Sequence, residues 1–266
     1  MAILVVLVFT IYVPEIIGSN LNSNQNETYR PNFAKWAQSP ETERVYMTTS
    51  SRIAYHLHEL EIAKHPELPA YAMPEFSVND KAILDIGCGI GQTFVASELD
   101  HGKLLVGVDV DLECLIYGHR QFKHINFVNA TAERLPFRNN VYDLVISRVS
   151  LPLTNIPDSL AEIESVLDRN GRVWFTLHPF SMPLSRLIRS FRRLEIKEIV
   201  YRSYVIFNGL TFNLFGRLYP FPVKKEYESF QSISGMMKAM KKAGFIDIWV
   251  RRKGRQIMIC TARKRA

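Results

Sequence analysis

Short apolar runs that alternate with helical patterns constrain the fold of this chain more than any other feature. From residue 82 onward, β-branched runs such as "AILDIG", "LLVGVDV" and "RVWFTLH" are separated by segments with helical periodicity. Continuous apolar strands joined by helices are typical of a parallel sheet that is buried on both faces. We therefore expect an α/β protein with a doubly wound, Rossmann-like sheet.

The end of the chain departs from this alternation. A helix near 229–243 ends at Gly244, which is a usual residue just after a helix. The runs "IDIWVRR" and "QIMICTARK" follow it and are separated by a short basic turn, so they are predicted to form an antiparallel hairpin. The earlier part of the chain contains five runs, the three quoted above together with "INFVNA" and "YDLVISR". With the hairpin, they predict a seven-stranded sheet that is mostly parallel.

The first 18 residues form a separate apolar segment that allows three interpretations. The segment is apolar through Val13 and then meets Pro14 and Glu15, so it is shorter than the roughly 20 residues that cross a bilayer. It also lacks the positive region and the cleavage pattern of a signal peptide. A membrane anchor, a signal sequence and a start codon placed too far upstream all remain open.

The rest of the chain is predicted to contain a linker with a helix and one large domain. Residues 19–80 begin with a polar stretch and continue with a helix over about 42–64. The domain itself covers 81–266 and contains an insertion at about 180–228 that is dense in Arg, Tyr and Phe. The insertion follows a strand whose carboxyl end should face the ligand crevice, so we interpret it as a substrate cap; the alternative is a helical addition that only packs on the sheet. Five aromatic residues are candidates to line that cap: Tyr201, Tyr204, Phe207, Phe212 and Phe215.

Charge and cysteine content limit the partners and the compartment. The net charge is +7, but residues 167–266 contain 21 Lys and Arg against 6 Asp and Glu. Such a basic segment suits nucleic acid, a membrane surface or a phosphorylated substrate, and it also suits a solvated surface without a specific partner. Three scattered cysteines predict neither disulfides nor a metal site. They favour a reduced, cytoplasmic location, with membrane contact through residues 1–18 left open.

The stretch "ILDIGCGIGQT", residues 83–93, predicts a ligand site. A glycine-rich turn after a buried strand lets a ligand approach the backbone and opens a helix. Asp85 lies two residues before Gly87 and would repel a pyrophosphate, so it suits a ligand that carries a cation, such as an amino acid moiety or a sulfonium. Asp109 ends the next strand, where a carboxylate can accept the hydroxyls of a ribose.

Four stretches in order resemble the motifs of one known family. They are "ILDIGCGIG", "VGVDVD", "ATAERLPFRNNVYDLVISR" and "EIESVLDRNGRVWFTLHP", and they fall within residues 80–180. The family is the class I S-adenosylmethionine-dependent methyltransferases, in the small-molecule branch called methyltransferase type 11. The resemblance implies S-adenosyl-L-methionine as the cofactor.

The resemblance also implies the residues that bind this cofactor. They are Asp85, Gly87 and Gly89 at its methionine end, Asp109 at the ribose hydroxyls, Val110 near the adenine, Ala132 and Glu133 along the adenine edge, and Ser147 and Arg148 at the end of the fourth strand.

The chain departs from the family pattern at two positions. Many relatives have an acidic residue where this chain has Thr131, and a histidine pair where it has "RVSLPLTN". The second departure puts a catalytic role of that loop in doubt. His178, which follows "WFTL", is the candidate general base, because a histidine changes protonation near neutral pH. The alternative is a strand-end histidine that makes only backbone hydrogen bonds.

Three functions follow from these observations. The first is methyl transfer from S-adenosyl-L-methionine to a small-molecule or lipid-like acceptor by in-line displacement. The second is an RNA methyltransferase or an RNA-binding relative that uses the basic C-terminal third. The third is a non-enzymatic protein that has kept the fold. Neither an Asn/Asp-Pro-Pro-aromatic loop nor a Pro-Cys pair follows the fourth strand, which weighs against DNA methylation.

Overall fold

The computed structural model describes residues 50–99, 102–223, 225–255 and 257–265. The predicted apolar segment 1–18, the polar stretch that follows it and the first part of the helix over 42–64 lie outside these residues. No helix within the described ranges combines the length and the apolar character that crossing a bilayer requires.

Seven strands form one mixed sheet in the order β3-β2-β1-β4-β5-β7-β6. The strands β1 to β5 are parallel, and β7 runs antiparallel to both β5 and β6. The predicted Rossmann-like sheet with a C-terminal antiparallel hairpin is therefore confirmed. The strand bounds are Ala82–Ile86 (β1), Leu104–Asp109 (β2), Asn126–Asn129 (β3), Tyr142–Ser147 (β4), Leu167–Leu177 (β5), Phe245–Lys253 (β6) and Ile257–Lys264 (β7).

Seven α-helices accompany the sheet within the described residues. Their bounds are Ser51–Lys64 (α1), Gln92–Ala96 (α2), Leu112–Gln121 (α3), Ile156–Val166 (α4), Ser181–Arg192 (α5), Ile196–Phe215 (α6) and Ile233–Lys242 (α7).

The core lies on both faces of the sheet. Phe175 in β5 and Cys260 in β7 are neighbours in the strand register and belong to the larger cluster, which also contains residues of α4 and α7. Ile83 and Leu144 belong to a second cluster with Phe94 of α2. Because both faces of the central strands are covered, every residue of β1 from Ile83 onward is buried. All of them are apolar except Asp85, which carries a carboxyl group.

The strand β6 behaves differently because it is the edge strand. Its burial alternates along the chain, with Ile248 and Val250 packed against the larger cluster and Trp249 74% exposed. Alternation of this kind is typical of a strand with one covered face and one open face.

The insertion after β5 forms two helices in contact, α5 and α6, joined by a short turn, and we call this pair the helical hairpin. The five aromatic residues predicted to line a cap do not share one surface. Tyr204 and Phe212 are buried, and Phe212 belongs to the main core. Phe207 and Phe215 are exposed, while the hydroxyl of Tyr201 donates a hydrogen bond to Glu228 Oε2 at 2.6 Å. The prediction that all five residues line one surface of a cap was therefore wrong.

Replacing Phe175 with Ala is expected to lower the free energy of unfolding by roughly 3–5 kcal/mol, because this ring is fully buried in the sheet core. Trp249→Ala is the matched control, since it removes an exposed aromatic ring from the same sheet, and we expect a change within about 0.5 kcal/mol. Urea unfolding of both variants measures the difference. A loss below about 1 kcal/mol for Phe175→Ala would contradict this account of the core.

Candidate functional site

Three polar side chains meet at the carboxyl edge of the central strands. Asp85 in β1 lies opposite Gly107 of β2 and Ile146 of β4. Asp109 ends β2 and Ser147 ends β4. The strand register therefore brings the predicted site residues of three separate motifs to one edge of the sheet, where open α/β sheets bind ligands.

A glycine-rich turn leads from β1 into α2. Gly87, Gly89 and Gly91 have φ values of 73°, 55° and 87°, which is the left-handed region where glycine is favoured. The turn is fastened to the neighbouring strand, because the amides of Gly87 and Cys88 both donate to the carbonyl of Val108, at 2.7 and 3.0 Å.

Asp109 fixes the turn through its side chain. Its Oδ2 accepts a hydrogen bond from the amide of Gly89 at 2.8 Å, and its Oδ1 accepts one from the amide of Asp111 at 2.9 Å. Each carboxylate oxygen has a second lone pair, which is the capacity that ribose hydroxyls would use. Val110, the predicted neighbour of the adenine, is exposed directly after this residue.

Asp85 is a buried carboxylate without a hydrogen-bond partner among the described residues. The pKa of Asp85 is raised to about 7, because the effect of burial, with a smaller rise from the negative charge of Asp109, outweighs the lowering of this pKa by Arg148. The nearby Thr93 hydroxyl also lowers the pKa of Asp85, although it does not reach the geometry of a hydrogen bond. A buried charge of this kind is costly unless it is paired. The carboxylate therefore fits a ligand that brings an ammonium group, as the methionine end of S-adenosyl-L-methionine does.

The helix α1 lies over the glycine turn and contributes His56. A Cβ atom at Gly89 would lie 2.2 Å from His56 Nδ1, and Gln92 Nε2 lies 3.2 Å from the same nitrogen. Burial lowers the pKa of His56, while Asp109 and Glu59 raise it. The imidazole of His56 therefore fills the space on the side of Gly89 where a Cβ atom would lie.

Sequence reasoning gave His56 no role. It stands in a helix outside the motifs, and no spacing signal links it to the glycine turn. Only the three-dimensional contact with Gly89 reveals it.

The loop after β4 is held by hydrogen bonds of two serines. Ser147 Oγ lies 2.6 Å from Ser150 Oγ, and Ser150 Oγ donates to the carbonyl of Ile86 at 2.6 Å. Ser150 also covers Gly87, where an added Cβ would lie 2.1 Å from the serine Cβ. Ser147 is fully buried and is the last residue of β4, so it lies at the predicted edge of the sheet. Through Ser150 it supports the glycine turn.

Arg148 forms a buried ion pair with α1. Its Nη2 lies 3.2 Å from Glu59 Oε2 and donates to the Glu59 carbonyl at 3.0 Å. The predicted lining residue is therefore tied to the helix that covers the site. Because both side chains are largely shielded from water, removal of one partner would leave the other charge buried.

The two residues predicted along the adenine edge follow β3. Ala132 is buried, and Glu133 is partly exposed. Glu133 Oε1 accepts a hydrogen bond from the amide of Asn155 at 2.7 Å. Since Asn155 precedes α4, Glu133 has a structural contact at the start of that helix.

His178 follows β5 and lies beside a cluster of polar side chains. Its amide donates to Gln231 Oε1 at 3.0 Å, and its carbonyl accepts from the amide of Gln231 at 2.8 Å. Burial lowers the pKa of the imidazole to about 4, although Glu228 opposes this shift. The ring is therefore neutral at pH 7 and can accept a proton, but only as a weak base.

Asp85→Asn is expected to flatten the pH dependence of stability between about pH 4 and 7. With a raised pKa, folded Asp85 keeps a proton that the unfolded chain has released in this range. The contribution to stability is therefore complete below about pH 4 and lost as the pH rises to about 7. Between about pH 4 and pH 8, the free energy of unfolding of the variant should therefore rise by on the order of 4 kcal/mol relative to that of wild type.

Urea unfolding at both pH values measures this gain. Glu113→Gln, an exposed carboxylate on α3, is the control and should parallel wild type. Parallel curves for Asp85→Asn and wild type would contradict the burial of an unpaired carboxylate.

Known proteins that are similar to this chain include methyltransferases, in agreement with the geometry of the site. Residues 84–175 match the family model described as a methyltransferase domain. The chain is 32% identical over 126 residues to a malonyl-[acyl-carrier protein] O-methyltransferase of Marinomonas sp. (strain MWYL1), covering 45% of this chain and 46% of the relative. It is 30% identical over 95 residues to the ubiquinone/menaquinone biosynthesis C-methyltransferase of Coxiella burnetii, covering 32% and 36%. The chain thus spans less than half the length of these relatives.

One solved structure supports the fold. The crystal structure of human N-acetylserotonin methyltransferase in complex with S-adenosylmethionine has a TM-score of 0.51 with 14% identity, covering 84% of this chain and 58% of the human one. The segment that matches the family model contains Asp85, the glycine turn and Asp109. This match confirms the resemblance to the class I S-adenosylmethionine-dependent methyltransferases, whose cofactor is S-adenosyl-L-methionine.

Proposed function

We propose that this chain transfers the methyl group of S-adenosyl-L-methionine to a small-molecule or lipid-like acceptor by in-line displacement. The carboxylate of Asp85, which is buried and has no hydrogen-bond partner within the described ranges, is the observation that carries the proposal. It stands at the same sheet edge as Asp109, so the two carboxylates suit the cationic amino acid end and the ribose of one nucleoside. The same two residues lie within the matched methyltransferase segment.

The cofactor supplies an electrophilic methyl group on a cationic sulfur. On this proposal Asp85 binds the ammonium group, and Asp109 accepts the ribose hydroxyls while it holds the amide of Gly89. The protein then has to align the acceptor and exclude water. The helix α1 suits the second task, since the buried Arg148–Glu59 ion pair fastens it to the loop after β4.

The weak basicity of His178 limits the acceptor. With the pKa of its ring near 4, this histidine is a poor base for an alcohol or another group with a high pKa. An acceptor that is already ionised, or one with an acidic proton, requires no stronger base. The relatives support such acceptors, since their names describe O-methylation of a malonyl group and C-methylation in quinone biosynthesis.

A second candidate function is supported by a basic groove on the open face of β5, β7 and β6. The groove has a volume of about 1070 Å³, and its lining includes Tyr71, Trp249, Arg251 and Arg263. Aromatic rings beside cations are typical of sites for single-stranded nucleic acid. The groove lies on a sheet face, whereas the proposed cofactor residues lie at the carboxyl edge, so RNA methylation ranks second.

Asp109→Ala and Asp109→Asn are expected to weaken binding of S-adenosylhomocysteine at least about tenfold, because both remove the charged acceptor at the ribose position. Isothermal titration calorimetry measures the affinity. Asp143→Asn is the matched control, since Asp143 accepts hydrogen bonds from the amides of Lys81 and Ala82 at the opposite end of β1. It should bind like wild type, and thermal melting checks that every variant is folded.

Unchanged affinity in both Asp109 variants would contradict the site. If wild type bound no cofactor at all, a non-enzymatic role would replace the proposal.

The acceptor class is identified by incubating the protein and radiolabelled S-adenosyl-L-methionine with cell extract. We expect label in the lipid or small-molecule fraction, and none with Asp109→Ala. Label confined to RNA would favour the second candidate. If the protein binds the cofactor but no fraction is labelled, the result would contradict both candidate functions, methylation of a small-molecule or lipid-like acceptor and methylation of RNA.

A further inference from the structure

Exposed apolar side chains are concentrated in and beside the helical hairpin. Of the 21 large apolar residues that are exposed within the described part of the chain, 11 lie between residues 180 and 223. Single exposed apolar residues are ordinary on a protein surface, but a concentration of them marks an interaction site.

These side chains form stripes on the outer sides of both helices. On α5, Ile188 and Phe191 are three residues apart, and Leu194 follows in the turn. On α6 the exposed large apolar residues are Ile196, Phe207, Leu210, Leu214 and Phe215. Spacings of 11, 14 and 18 residues from Ile196 place Phe207, Leu210 and Leu214 within one narrow arc with it, and Phe215 lies outside this arc at the end of the helix.

Cations accompany the apolar stripes. Residues 180–223 contain seven basic side chains, Arg186, Arg189, Arg192, Arg193, Lys197, Arg202 and Arg217, against only Glu195 and Glu198. Arg202 is paired with Glu198 at 3.1 Å and with Glu228 at 3.4 Å. Arg189 and Arg192 are exposed in the last turn of α5.

The opposite side of the hairpin is firmly packed. The Tyr204 hydroxyl donates to the carbonyl of Tyr219 at 2.8 Å, and the buried Asn208 donates to the carbonyl of Glu228 at 3.1 Å. Phe230 lies so close to Gly209 that an added Cβ would be 2.1 Å from its ring. The apolar stripes therefore lie on the solvent-exposed side of the helical hairpin, whose other side is held by these contacts.

We propose that the outer face of the helical hairpin docks on the surface of a bilayer that contains anionic lipids. The proposal rests on the proposed function, since it names a membrane as the source of a lipid-like acceptor. Phe191, Leu194 and their neighbours would enter the boundary between headgroups and acyl chains, and Arg189 and Arg192 would contact phosphates. An amphipathic helix rich in arginine, with Phe and Leu on its apolar side, is suited to this interface.

The position of the hairpin in the fold supports a role in acceptor delivery. It begins at Ser181, only a few residues after β5 ends at Leu177. The carboxyl end of β5 lies next to that of β4 in the parallel register, as Ser147 is opposite Phe175. Docking through the hairpin would therefore bring the edge of the sheet that carries Asp85 and Asp109 toward the bilayer.

The charge pattern favours a membrane over a second copy of this chain. In a two-fold interface the same patch meets itself, so the excess of arginine would face more arginine, which is unfavourable. The apolar stripes in turn distinguish this face from the basic groove on the sheet, where tryptophan and arginine suit nucleic acid.

Co-sedimentation with vesicles tests the proposal, using phosphatidylcholine vesicles with and without phosphatidylglycerol. We expect wild type to bind the anionic vesicles, less so at high salt. Phe191→Asp/Leu194→Asp should weaken this binding at least about tenfold, because it places charges where apolar groups are buried. Arg189→Gln/Arg192→Gln should weaken it about fivefold for each charge removed and reduce its salt dependence.

Val78→Asp is the matched control for the first variant. Val78 is 91% exposed in the loop before β1, compared with 56% for Phe191 and 78% for Leu194, so the same substitution there should leave vesicle binding unchanged. Vesicle binding that none of the variants alters would overturn the proposal and assign the contact to other residues, such as 1–18. A dimer that only Phe191→Asp/Leu194→Asp dissociates, without vesicle binding, would assign the face to a second copy.

Cofactor binding separates this proposal from the proposed function. The hairpin variants should bind S-adenosylhomocysteine like wild type, since the substituted residues are exposed and none belongs to the glycine turn. Loss of vesicle binding together with intact cofactor binding supports docking. If wild type binds vesicles but binds no cofactor, the result would support membrane docking and contradict the proposed methyltransferase function.

Discussion

The hydrogen bond from the Gly89 amide to Asp109 is the interaction on which the site depends. It joins the turn after β1 to the end of β2, so that two motifs 20 residues apart become one structure. The carbonyl of Val108 adds two bonds from the same turn. With the turn held in place, Asp85 is left buried behind it without a partner among the described residues. A site of this kind keeps an unpaired charge for a ligand at the expense of stability.

The fold could be predicted from the sequence because its signals are local. Apolar runs of the right length mark each strand, and Gly244 with the basic turn at 253–255 marks the closing hairpin. Parallel strands then bring their carboxyl ends to one edge, so the sequence alone is enough to expect Asp85, Asp109 and Ser147 close together. The bounds of the strands follow the quoted runs, apart from β5, which begins at Leu167.

The parts that sequence reasoning missed depend on contacts between distant segments. His56 and Glu59 stand in α1, yet they meet Gly89 and Arg148, and no periodicity encodes such pairs. The aromatic residues of α6 show the opposite error. Their presence suggested one lining, but Tyr204 and Phe212 are buried while Phe207 and Phe215 are exposed. A spacing of five residues separates Phe207 from Phe212 around the helix axis, and Phe215 is the last residue of α6.

The imidazole above Gly89 has a thermodynamic consequence for ligand binding. A nucleoside that occupied the space of this ring would bind only those molecules in which His56 has moved, so its measured dissociation constant would be the intrinsic one divided by their fraction. Affinity would then report an internal equilibrium as well as contacts. Contacts that hold α1 in place, including the Arg148–Glu59 ion pair, would lower that fraction and weaken the measured affinity without contacting the nucleoside.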